Sequence, residues 1–150
     1  MTRAHDRRRK GGFTLIEVLL VLVILVILAS FAVVQFTGVR KRANLQAAKA
    51  QVDLCNSAMK MYELAIGTYP STAQGFQALR YKPQDLADPS KWDGPYLDRD
   101  VPKDPWGNPY QYAMPGNHNP DGFDVWSFGP DGMNGTPDDI GNWNLQEGAP

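Results

Sequence analysis

Residues 7–36 read RRRKGGFTLIEVLLVLVILVILASFAVVQF, and this stretch decides the architecture. A basic cluster and a glycine pair lead into 24 residues, 13–36, interrupted only by Thr14, Glu17, Ser30 and Gln35. At about 1.5 Å per residue such a helix reaches roughly 36 Å, enough to cross a hydrocarbon core of about 30 Å. Arg7, Arg8, Arg9 and Lys10 should keep the leading end cytoplasmic, which sends the remainder of the chain across the membrane. An ordinary cleaved signal peptide is one rival reading, because Ser30 and Ala32 are small residues at the spacing such a cut needs. Against it, the apolar run is longer than usual and carries an acid near its start. An uncut membrane anchor is the other rival.

Glu17 separates these readings. An ionisable group inside an apolar span is costly, about 2.5 to 3.5 kcal/mol at a helix centre and less near its ends, so it usually has a partner. No basic side chain lies near it on the apolar side. A free α-amino group, made by cutting the chain before Phe13, would supply the cation; alternatively Glu17 snorkels to the headgroups.

Downstream, Leu45, Ala48, Val52, Cys55, Met59, Tyr62 and Ile66 recur at intervals of three and four, one face of an α-helix. Gln46, Lys49, Gln51, Asp53 and Lys60 form the opposite, solvated face. Gly67 and then Pro70 are stop signals. A helix unbroken from Phe13 to Ile66 would span about 81 Å, apolar all round in its first half and amphipathic in its second. All twelve prolines lie from Pro70 onward, which argues for short strands and ordered loops there. Residues 74–80 suit a brief helix with Phe76 and Leu79 inward. Residues 108–114 and 122–128 alternate apolar and polar around PGNHNPDG, so they predict an antiparallel hairpin laid against the helix. Trp92, Trp106, Trp126, Tyr96, Tyr110 and Tyr112 supply core area for a small sheet; a sugar- or peptide-binding aromatic patch is the other use for them. The expected fold is α+β: a long N-terminal helix packed against a small antiparallel sheet and a C-terminal loop.

Charge is segregated along the 150 residues. Five of the 15 basic residues fall within the first twelve positions, and the remaining chain carries 10 basic against 15 acidic groups. From Pro83 onward, Lys91, Arg99 and Lys103 face twelve acids. Phosphate recognition needs the opposite sign, so nucleic acid is not an expected partner. The single cysteine, Cys55, excludes an intrachain disulfide and falls on the apolar helix face, where a small buried hydrophobe is expected. His5 lies in the basic leader and His118 stands in an expected turn. With no nucleophile motif and no phosphate loop, no enzymatic activity is expected.

Asp131, Asp138 and Asp139 lie within nine residues, interleaved with Gly132 and Gly135. Such a loop suits a hard cation with oxygen ligands, or is simply a solvated turn. It is not an EF-hand, because Met133 stands two residues after Asp131 and no terminal Glu follows.

RRRKGG followed by FTLIE resembles the class III leader of type IV pilin-like proteins. The blocks GTYPSTAQGFQALR, WDGPYLDRDVPKDPWGNPYQY and FGPDGMNGTPDDIGNW are similar, along nearly the whole chain, to the major pseudopilins of type II secretion systems. The resemblance implies that residues 1–12 are a leader removed by prepilin peptidase between Gly12 and Phe13, with Phe13 then N-methylated. It also implies a membrane and polymerisation helix over 13–36, an amphipathic continuation over 37–67 and a periplasmic domain over 68–150, with the precursor single-pass in the inner membrane. Glu17 would pair with the amine of a neighbouring subunit in a homopolymeric pseudopilus, built with minor pseudopilins on an inner-membrane secretion platform, that drives folded proteins through the outer membrane. The same resemblance implies a Ca²⁺ site of Asp131, Asp138 and Asp139 with the carbonyls of Phe128 and Met133; chelation would then loosen residues 128–143 and weaken assembly. Pro137 before the paired acids departs from the family pattern without removing an acid. A type IV pilin-like fibre subunit and a tethered cargo-recognition module are the alternatives.

Overall fold

The computed structural model describes residues 12–145, apart from the side chains of residues 30–37. One α-helix, α1 (Leu15–Ile66), is followed by short 3₁₀ turns at Gly75–Leu79 and Pro89–Lys91 and by three strands, β1 (Gln111–Ala113), β2 (Asp124–Ser127) and β3 (Ile140–Gly141). The chain divides into two compact units, one ending at Arg40 and the other beginning at Lys41.

In the second unit α1 is amphipathic as its periodicity predicts. Ala48, Val52, Cys55, Met59 and Tyr62 are buried, with Leu45 and Ile66 partly so, while Gln46, Asp53 and Lys60 are exposed. Burial pushes the Cys55 thiol up to about 11, as befits a small core hydrophobe. The helix ends where Gly67 adopts φ +93°, a left-handed conformation that costs a residue without Cβ nothing, and its N–H caps the Glu63 carbonyl at 2.7 Å.

The expected hairpin is present but shorter, with β1 and β2 antiparallel in the register Gln111↔Trp126 to Ala113↔Asp124. β2 also pairs antiparallel with β3, making an ordered sheet β1-β2-β3 that puts the end of the acidic loop beside the central strand. Tyr110, Phe123, Val125 and Ile140 from this region join Leu79 and the apolar face of α1 in one core, against which Trp92, Tyr96, Trp106 and Tyr112 are packed. Rings meet edge-on, as in Tyr62 with Tyr96 at 5.6 Å and Tyr69 with Phe123 at 4.7 Å. The aromatic residues are therefore spent largely on packing.

In the first unit every described side chain from Phe13 to Ala29 is exposed. Among the described residues, no helix is long and apolar enough to cross a membrane. The expected 13–36 span includes residues whose side chains lie outside that description, and residues 1–11 of the expected leader lie outside it altogether.

Candidate functional site

Two places carry functional chemistry. The first is the start of α1. The Thr14 carbonyl accepts from the N–H groups of Glu17 and Val18 at 3.1 and 3.3 Å, so Thr14 opens the helix and places Glu17 in its first turn. A carboxylate there is favoured by the helix dipole. Gly12, Phe13 and Glu17 lie together at this end, all exposed, and Phe13 shows 81% of its surface. Leu15, Ile16, Leu19 and Leu22 carry the apolar surface around the helix, which no polar face relieves. Apolar area of this extent marks a surface that lipid or protein covers.

The second place is the acidic loop between β2 and β3. Asp131 turns its carboxylate back on its own chain, where Oδ1 accepts from Met133 N–H at 2.8 Å, an Asx-turn. Asp138 accepts at Oδ1 from the Thr136 hydroxyl at 2.7 Å and at Oδ2 from Asp131 N–H at 3.2 Å. The Thr136 bond, together with that N–H, holds the Asp138 carboxyl below the ordinary carboxylate range. Asp139 is buried, and its Oδ2 accepts from Gly135 N–H at 2.7 Å. The loop thus brings the five expected ligand residues onto one short segment. Among the described residues, however, no three His, Cys, Asp or Glu side chains form a group that could hold a metal ion. The residues nevertheless suit a hard cation in one respect: Asp139 Oδ1 is buried with no hydrogen-bond partner among the described residues, a state a cation would relieve.

Sequence reading missed the polar supports around this loop. His118, expected in a turn, donates its N–H to Asp124 Oδ2 at 2.8 Å, places Nδ1 3.3 Å from the same oxygen, and stacks on Trp143 at 3.7 Å. Burial opposes the charge on Asp124, but N–H donation from His118 and the Asn119 amide outweighs it and holds the carboxyl low. Asn142 ties the same region to β2 by donating to the Phe123 carbonyl at 2.9 Å. Thr136, two residues before Asp138, carries a readable local signal for its hydroxyl bond; the Asn142–Phe123 bond and the His118–Trp143 stack join residues too distant in sequence to show one.

The family model for type II secretion system protein G matches residues 35–143, the region that holds the amphipathic half of α1, the sheet and the acidic loop. The chain belongs to the type II secretion system protein G family. The prokaryotic N-terminal methylation motif matches residues 7–33 in addition, across the basic cluster, Gly12, Phe13 and Glu17. A type II secretion system core protein G of Aeromonas hydrophila is 46% identical over 143 residues, covering 95% of this chain and 98% of the relative. That of Pseudomonas aeruginosa is 44% identical over 142 residues, covering 93% and 99%. The crystal structure of the major pseudopilin from the type 2 secretion system of enterohaemorrhagic Escherichia coli superposes with a TM-score of 0.63 at 38% identity, covering 75% of this chain and 93% of that one. As a protein G family member, the chain is a structural pseudopilin, a major subunit of the pseudopilus and not an enzyme.

Proposed function

We propose that this subunit is made as an inner-membrane precursor, cut between Gly12 and Phe13 by prepilin peptidase, methylated at Phe13, and polymerised into a periplasmic pseudopilus. Residues 13–36 hold the precursor in the bilayer as a single pass, with the domain from residue 68 in the periplasm. The observation that carries the reading is the exposed apolar start of α1, which begins three residues after Gly12 and bears Glu17 in its first turn. Lipid covers that surface before assembly and neighbouring subunits cover it afterwards. A carboxylate facing an apolar neighbour is costly, whereas the same group facing a neighbour's Phe13 amine is paired, so Glu17 selects one register among many greasy ones. Minor pseudopilins and the inner-membrane platform start and drive the fibre, whose growth pushes folded proteins through an outer-membrane channel.

Ca²⁺ belongs to the same proposal. Asp131, Asp138 and Asp139 with the carbonyls of Phe128 and Met133 would hold it, and the buried, unpartnered Asp139 Oδ1 supports this assignment. The ion would neutralise clustered carboxylates and stabilise the folded loop by binding it alone.

Intact-mass and N-terminal analysis of protein from secreting cells tests the processing step. A methylated Phe13 start is expected. A start at Val33, as a signal peptidase would leave, or at Met1 overturns the reading.

A further inference from the structure

Asp104 is a carboxylate with only 4% of its surface exposed, and neither processing nor the expected ligand set uses it. It precedes the Trp106–Gly107 turn, and its Oδ1 accepts from the N–H groups of Trp106 at 3.1 Å and Asn108 at 2.8 Å. Its other oxygen reaches 23 residues along the chain: Oδ2 accepts from the hydroxyl of Ser127, which is fully buried at the end of β2, at 2.6 Å. That bond uses the only proton Ser127 has, so its oxygen can offer other neighbours only a lone pair. Gly129 N–H donates to it at 3.1 Å.

That N–H belongs to the peptide joining Phe128 to Gly129. The cis peptides are Gly94–Pro95 and Met114–Pro115, so this one is trans, with its N–H and C=O in one plane and pointing in opposite directions across the C–N bond. Holding Gly129 N–H toward Ser127 therefore turns the Phe128 carbonyl away from Ser127. The peptide is confined on its far side too. Gly129 adopts φ +69°, and a methyl group there would overlap the Asp138 carbonyl oxygen and stand 3.1 Å from Asp138 Oδ2.

We propose that Asp104 and Ser127 are positioning residues for the cation, a buried strut that fixes the direction of the Phe128 carbonyl without touching the ion. The inference rests on the calcium assignment above. It explains why a carboxylate stands at position 104. An ionised acid can only accept, so it dictates that Ser127 donates to it and presents a lone pair to Gly129. An amide could donate to Ser127 instead, and the freed serine proton could then turn toward the Gly129 N–H, donor against donor. Supporting partners one bond removed from a metal are commonly worth about 10- to 100-fold in affinity.

The test uses full-length mature protein in detergent, titrated with Ca²⁺ by calorimetry and with Tb³⁺ by luminescence lifetime in H₂O and D₂O, which counts coordinated waters. Ser127→Ala and Asp104→Asn should each weaken Ca²⁺ by about 10- to 100-fold and admit an extra water to bound Tb³⁺ where the carbonyl has swung away. Ser127→Thr, which keeps the hydroxyl, should restore the wild-type water count. Circular dichroism at saturating Ca²⁺ identifies folded variants, and Asp104→Asn and Ser127→Ala are read independently. A folded variant of either kind with wild-type affinity and water count overturns the strut while leaving the calcium assignment standing. Wild-type protein that binds neither ion overturns both.

Discussion

The two parts of α1 use similar residue types to opposite ends. Before Arg40 the helix is exposed on every described face, whereas beyond it Val52, Cys55, Met59 and Tyr62 are all but inaccessible. The difference lies in pattern. Apolar residues on every side leave no face for water, so the early part is stable only inside lipid or among other helices. An apolar residue every three or four positions gives one dry face, and the 3₁₀ turn and strands close over it. One element thus carries both an exposed apolar surface and the spine of a folded domain.

Truncating the same chemistry in each part should separate these roles. Met59→Ala, in the buried face, should cost about 2 to 5 kcal/mol in denaturant unfolding of the detergent-solubilised protein. Leu19→Ala, in the exposed part, should leave that transition unchanged and weaken assembly alone. If both variants shift the unfolding midpoint equally, the division of labour is wrong.

Acid should act on the domain and spare the apolar helix. Asp124 is held below its ordinary value when folded, so its contribution is present above the unfolded pKa near 3.8 and is lost as pH falls through the folded value. Thermal melts should show stability dropping at the acid end of the range, and Asp124→Asn should flatten that drop while lowering stability at neutral pH. An acid limb unchanged in the variant would mean that other carboxylates dominate.

The smallest effect is expected where the domain's own helix faces outward. Leu64 is 86% exposed, and Leu64→Ala should move stability by no more than about 0.5 kcal/mol. A larger loss in the monomer would reveal cover on that face.

What could be read in the sequence follows the range of the interactions. The helix was legible because Leu45 to Ile66 repeat with the helical period and Gly67 and Pro70 stop it. The hairpin was legible because alternation survives over several residues on each side of its turn. β3 was not, since the two residues of Ile140–Gly141 are too few to show any period. The acidic loop could be picked out by its clustered aspartates, yet the burial of Asp139 arises only from the folded chain. The Asp104–Ser127 bond and the His118–Trp143 stack join residues 23 and 25 positions apart, so only tertiary structure brings them together.

The most direct test of the account compares wild-type protein with Glu17→Val for fibre formation, scored by electron microscopy and sedimentation after extraction from the inner membrane. The account predicts that the variant is processed, keeps the unfolding midpoint of the wild type and forms no ordered pseudopilus. Fibres of normal yield and order from Glu17→Val would show that apolar packing alone sets the register and would contradict it.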